Sequence, residues 1–367
     1  MISKLSQIDL IVLYKLYKII ESIWDNLDIK IDLKLLDKTD SDYIIIHQIL
    51  IDCYLNKYTK FKNFIDNSLN IIKFNFENIS FYYNFEDFEI YNNDIKMINI
   101  LIKEIITLKK YFNCNQQNIV VIWIPINIKR DYKGDIINTT LLNKTTDKFK
   151  AFTASGLTFD FNNSRYTIIS RYEEVHKLLF HELIHNFYID GSNYHNDLKH
   201  VCKNYRNIKN SKNSKNNNYH YKYSIYESYT ELISSYLNII FYNILHNSHC
   251  NKIQIVQKIY SQIIIELLYS YNTVSNLIVL NNYKSYNDFI DNNYYFMGDI
   301  CFYEYYFIKG LMYNFFKFNI VNIKEDYIKL YEQIILIMNN HTKDKLMINI
   351  FKNHFKQTNF KYLLYNI

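Results

Sequence analysis

The hydrophobic pattern of this chain changes period several times along its length, and the changes mark its elements. Over residues 4–26, Leu5, Ile8, Ile11, Leu13, Leu16, Ile19, Ile20 and Ile23 recur at helical intervals, which predicts an amphipathic helix. Ser41 to about Leu69 repeats that pattern, and so do residues 93–113. Between them, 71–76 and 79–85 are short runs rich in Ile and Phe that read as strands. From Ile119 to Ile128 the run Val120, Val121, Ile122, Trp123, Ile124 and Ile126 is continuous, as expected of a buried strand. Residues 129–150 are polar and loop-like. Two more strands are expected at 151–161 and 166–169, with Gly156 allowing a bulge or a close backbone approach.

The helical period returns at once after these strands. Val175, Leu178, Leu179, Phe180, Leu183, Ile184 and Phe187 form a broad apolar surface, and no proline or glycine interrupts residues 171–189. Ser170 and Glu173 have the spacing of a capping box, and Asp190-Gly191 is the expected stop. Residues 203–222, with Lys203, Arg206, Lys209, Lys212, Lys215 and Lys222 among Asn and Ser, are expected to be a mobile insertion. A long apolar helix follows from about Tyr226 through Leu232, Ile233, Tyr236, Leu237, Ile239 and Ile240. The expected class is therefore α+β, with a mostly helical N-terminal region at 1–115 and a second domain at 116–367.

Composition narrows the function only a little. With 37 Tyr and 25 Phe against 5 Gly and 1 Pro (Pro125), turns have to be made mainly by Asn, Asp and Ser. The net charge of +6 is modest for 367 residues, and no basic stripe interleaved with aromatics stands out, so nucleic acid is not an expected partner. Cys53, Cys114, Cys202, Cys250 and Cys301 are odd in number and lack a Cys-x-x-Cys pair, which reads as reduced core thiols. The N-terminal residues lack a signal-peptide pattern, and charged or polar residues cut every apolar run short of a membrane span.

The chemistry is concentrated in His181-Glu182-Leu183-Ile184-His185. Residues four apart on a helix share a face, so the two imidazoles can converge on one ion at about 2.1 Å each. Glu182 can then reach a water on that ion rather than the ion itself, where a general base has to sit. Two histidines do not complete a catalytic zinc site, which has three protein ligands and one open position. The leading source of the third is Tyr226-Glu227-Ser228-Tyr229-Thr230-Glu231, where Glu227 and Glu231 stand four apart. One carboxylate can bind the metal while the other orients His181 or His185 through its second ring nitrogen. A capping box with Ser224 is the alternative for Glu227, and a solvent-facing position is the alternative for Glu231. His195 and His200 are rival ligands. His47 stands alone on an apolar helix and is read as a satisfied core histidine.

The order strand, Ser155-Gly156-Leu157-Thr158, a second strand, Arg171-Tyr172-Glu173-Glu174, Lys177, then the histidine motif resembles the zinc metallopeptidases of large DNA viruses. The later Glu227 to Glu231 segment and Tyr305-Tyr306 with Lys309 extend the likeness over about 118–315. The resemblance implies a zincin-like catalytic domain with a small mixed sheet, an active-site helix and C-terminal helices. It also implies one Zn²⁺, a protein or peptide substrate, and a setting in the host cytoplasm or the virion. Glu-x-x-x-acid on a second helix looks like the gluzincins, which would make Glu227 the ligand and Glu231 its outer partner.

The activity so implied is peptide-bond hydrolysis, with zinc on His181, His185 and Glu227 lowering the pKa of its water toward about 7. Glu182 would take the proton and pass it to the leaving amine. An edge strand carrying Ser155, Gly156 and Leu157 would hold the peptide by backbone hydrogen bonds. Tyr305, Tyr306, His195 and His220 are the candidate oxyanion donors, Tyr306 foremost. A viral structural or interaction protein that keeps the fold without activity is the rival reading, and hydrolysis of a non-peptide substrate is a third.

Overall fold

In the computed structural model, strands and helices alternate up to residue 186 and helices follow. The structure describes residues 7–52, 70–85, 88–114, 118–125, 156–170, 172, 174–190, 225–280, 303–315 and 336. Contacts divide the chain into two compact units: Ile19–Phe187, and Met1–Lys18 with Tyr188–Tyr365. The helix α1 (Gln7–Asp25) runs across the division.

The first unit is built on one six-stranded mixed sheet. Its strands are β1 (Lys34–Leu35), β2 (Asn70–Phe76), β3 (Ile79–Phe85), β4 (Ile119–Trp123), β5 (Gly156–Phe161) and β6 (Ser164–Ile169), in the order β1-β2-β3-β4-β6-β5. β3, β4 and β6 are parallel to one another, β2 is antiparallel to both β1 and β3, and β5 is antiparallel to β6. Between β3 and β4 the chain crosses over through α3 (Phe88–Tyr111), as parallel strands require. Asn113, with φ of 54°, ends that helix in the left-handed region, where its amide bonds back to Lys110.

Period-two alternation gives the sheet two different faces. Ile71, Tyr82, Val120, Ile122, Tyr166 and Ile168 turn toward α2 (Ser41–Leu50), whose Tyr43, Ile46, Ile49 and Leu50 close an apolar layer. Phe159 of β5 packs against that layer. The intervening residues face the other way, where α3 and α4 (Val175–Asn186) pack. There Tyr83 donates to the Asp94 carboxylate at 2.5 Å and its ring meets that of Trp123.

β5 and β6 form a hairpin joined by Asn162-Asn163, with φ of 47° and 59°. Two successive left-handed residues make a type I′ turn, which asparagine accepts without glycine. The turn fixes a register in which Thr158 faces Thr167 and Gly156 faces Ile169.

The second unit is helical among its described residues. α5 (Ile225–Asn247) and α6 (Lys252–Leu280) pack together, and a π-helical turn at Tyr303–Ile308 leads into α7 (Lys309–Phe315) against both. Tyr229, Leu232, Tyr236, Ile263, Leu267, Tyr271, Phe307 and Leu311 are in its core. Among the described residues no helix is long and apolar enough to cross a membrane.

The expected strands at 71–76, 79–85, 119–128 and 166–169 and the helices at 4–26 and 93–113 all have counterparts. β2 and β3, which precede residue 115, pair into the same sheet as β4 and β6, which follow it. Two expectations need correction. The capping box at Ser170 does not start α4: its N-cap is Glu174, which makes no side-chain cap bond. That helix also stops before Asp190-Gly191, its C-cap being Phe187, followed by Tyr188 at a φ of 56°. The segments 53–69, 129–150, 151–155 and 203–222 lie outside the described residues.

Candidate metal centre

Alpha-helical geometry sorts α4 into stripes, and two of them carry the polar side chains of interest. His181 and His185 lie on one, and Glu182 and Asn186 lie on the next. Leu179, Phe180, Leu183 and Ile184 bury the rest of the helix. The Nε2 atoms of His181 and His185 are 3.1 Å apart, with the rings nearly perpendicular. Two nitrogens bound to one tetrahedral ion at about 2.0 Å stand roughly 3.3 Å apart, so this spacing suits a shared ion. His181 is buried and His185 half-buried.

The stripe next to it faces the sheet. Thr158 of β5 donates its hydroxyl to Glu182 Oε2 at 2.7 Å. Gly156, two residues earlier and on the same face of the strand, lies against the same side chain. A Cβ there would stand 2.6 Å from Glu182 Cγ and 2.8 Å from its Cδ. Asn186, one turn further along α4, donates through Nδ2 to Thr167 Oγ1 at 3.0 Å and to the Arg165 carbonyl at 3.3 Å. The expected close backbone approach at Gly156 thus exists, and what approaches is the carboxylate of the motif. Leu157 faces the opposite side of the strand and is half-buried. β5 is the last strand in the row, so an edge strand does lie beside α4 among the described residues.

Near the start of α4, His176 Nδ1 is 2.8 Å from Glu104 Oε1 of α3, and both residues are buried. Burial pushes the Glu104 carboxyl above its ordinary pKa, and the His176 ring pulls against that shift. Among the described residues His176 Nε2 has no hydrogen-bond partner. The pairing joins positions 72 apart in sequence and has no local signature.

In the helical unit, Glu227 lies in the first turn of α5 and is half-buried. Glu231, one turn later, is buried and accepts from Lys309 Nζ at 3.2 Å. Lys309 is fully buried and also stands 3.7 Å from the Glu266 carboxylate. Tyr306 is a core residue, its ring edge-on to Tyr269 and 5.6 Å from Lys309 Nζ. Glu231 thus has an ammonium partner within its own unit.

Of the other candidates, Ser155, His195, His200, His220 and Ser224 lie outside the described residues, as does the side chain of Tyr305. His47 is half-buried and stacks on Tyr43 at 5.9 Å. Glu104, His176, Thr167 and Asn186 escaped the sequence reading, and Thr158 entered it only as part of a matched segment, with no role of its own. A threonine at an inward position of a buried strand, directly ahead of the motif helix, was the available signal for Thr167. Comparison of the chain with protein-family models, curated proteins and solved structures finds no match.

Proposed function

We propose that this chain is a zincin-type zinc metallopeptidase in which His181, His185 and Glu227 hold one zinc ion and Glu182 is the general base. The observation that carries the reading is the pair of imidazole nitrogens 3.1 Å apart with the Glu182 carboxylate on the neighbouring stripe of one helix. Glu227, half-buried in the first turn of α5, supplies a carboxylate of the kind that completes a zinc site begun by two histidines. A bound zinc ion would supply Lewis acidity and a water of lowered pKa.

The remaining work belongs to the protein's own groups. Glu182 is tied at Oε2 to β5, which leaves Oε1 as the oxygen that takes a proton from the attacking water and returns it to the leaving amine. β5 ends the sheet, and an extended peptide can add to such an edge by main-chain hydrogen bonds, with side-chain selection left to alternate positions.

Zinc content by mass spectrometry of the wild type, His185→Ala and Glu227→Ala tests the ligand set. About one zinc per chain in the wild type, lost in both variants, is the expected result. Glu182→Gln should keep the metal and lose hydrolysis of a fluorescent casein; undiminished turnover in that variant would remove Glu182 from the mechanism. No metal in any preparation after zinc is added back would favour an interaction protein that keeps the fold.

A further inference from the structure

Four residues outside the proposed ligand set converge on Glu182. We infer that Gly156, Thr158, Thr167 and Asn186 form a seat that holds its carboxylate through a one-way chain of hydrogen bonds. The inference rests on the reading of Glu182 as general base and makes these four positioning residues for it.

The direction of the chain follows from donor and acceptor chemistry. An amide nitrogen only donates. Asn186 Nδ2 has two protons and two acceptors, Arg165 O at 3.3 Å and Thr167 Oγ1 at 3.0 Å. Turning the amide over would set Asn186 Oδ1 against the Arg165 carbonyl, so the orientation is determined. Thr167 Oγ1 accepts from Asn186, which leaves its own proton for Thr158 Oγ1 at 3.3 Å. Thr158 in turn has one proton and two nearby acceptors, Glu182 Oε2 at 2.7 Å and the Glu182 carbonyl at 3.1 Å. The shorter contact takes it. Every proton in the series then points toward the carboxylate, and each bond polarises the next.

Burial and space complete the seat. Thr167 and Asn186 are fully buried and Glu182 is nearly so, so bulk water does not compete for these bonds. Gly156 supplies the room, since the Glu182 carboxylate occupies the position a side chain would take. The carboxylate is therefore held on one side by a hydroxyl and on another by bare backbone. A base held in one rotamer loses no time in others, and its contribution to rate depends on that orientation.

An ordinary polar contact between helix and sheet would leave chemistry untouched when altered, and the test separates the two cases. Crystal structures of Thr158→Val and Thr158→Ser are compared with the wild type, together with zinc content and steady-state hydrolysis of a fluorescent casein. In Thr158→Val the Glu182 carboxylate should leave its place, zinc content should hold, and kcat should fall by about tenfold or more at unchanged KM. Thr158→Ser should restore both the rotamer and the rate. A Glu182 carboxylate that stays in place in Thr158→Val, or a kcat that does not change, overturns the seat. If the valine variant fails to fold, Thr158→Ala against Thr158→Ser makes the same comparison. Wild-type protein that loads zinc but leaves casein intact counts against the peptidase reading, while the crystal comparison still decides the seat.

Discussion

Replacing Lys309 by methionine removes a buried ammonium and keeps most of its volume. Lys309 is fully buried, 3.2 Å from Glu231 Oε1 and 3.7 Å from Glu266 Oε2, and both acids have side chains less than a fifth exposed. The substitution leaves two carboxylates facing each other with their cation gone. Breaking a buried pair in this way costs about 3–5 kcal/mol. Domains have only about 5–15 kcal/mol in total, so the loss is a large share. With a urea m-value of about 2 kcal/mol/M, a loss of about 4 kcal/mol lowers the midpoint by about 2 M. The assay is urea unfolding followed by far-UV circular dichroism, on Lys309→Met, Glu231→Gln, and the double variant. Because the acid and the ammonium satisfy each other, the double variant should be less destabilised than the sum of the single ones, by at least about 0.5 kcal/mol. Additive effects, or a Lys309→Met midpoint within a few tenths molar of wild type, would refute the reasoning. Neutralising Glu266 as well should recover most of the remaining loss, since an uncharged cluster of similar volume has no ions to desolvate.

Further outcomes follow from other parts of the molecule. Gly156→Ala should fold and bind zinc, yet hydrolyse casein about a hundredfold more slowly, because the new methyl displaces the Glu182 carboxylate; metal content and kcat measured on one preparation decide it. Glu104→Ala should cost about 3 kcal/mol by leaving His176 buried without its acid, read as a shift in the urea midpoint. Burial raises the Glu104 pKa, and a carboxyl raised above its unfolded value stabilises the fold below that value and loses the contribution as pH rises through the native one. Glu104→Gln should therefore flatten this part of the stability-pH curve, and parallel curves for the two proteins would count against it. Asn163→Val places a β-branched residue at a φ of 59° and should cost about 1–2 kcal/mol, seen as a lower Tm.

What could be read from the residue pattern was periodicity and spacing. A five-residue motif on one helix needs no long-range information, so His181, Glu182 and His185 were legible, as were the strands that lead to them. The strand just ahead of the motif helix, β6, lies inside the sheet, and the edge is taken by β5, one strand earlier. What stayed hidden depended on contacts between distant positions. Thr158 to Glu182 spans 24 residues, Glu104 to His176 spans 72 and Lys309 to Glu231 spans 78. Periodicity shows which face of an element is buried and says nothing about which partner it meets. The end of α4 was misjudged for a related reason: Tyr188 takes a left-handed conformation that local chemistry assigns to glycine or asparagine, and tertiary packing overrode the preference. The strands at 71–76 and 79–85 were legible as strands, but not their pairing into one sheet with β4 and β6, which joins positions far apart in sequence.

The Asn162-Asn163 hairpin sets more than the shape of the sheet edge. Side chains on a strand alternate between its faces, so deleting or inserting one residue in that turn would bring Leu157 or Phe159 to the position of Thr158. The histidines of α4 would keep their spacing, and the carboxylate between them would meet a hydrocarbon in place of a hydroxyl. A two-residue turn remote in sequence from the motif thereby acts as a length gauge for the surroundings of Glu182, and on the proposed function changes in loop length there would separate metal retention from turnover.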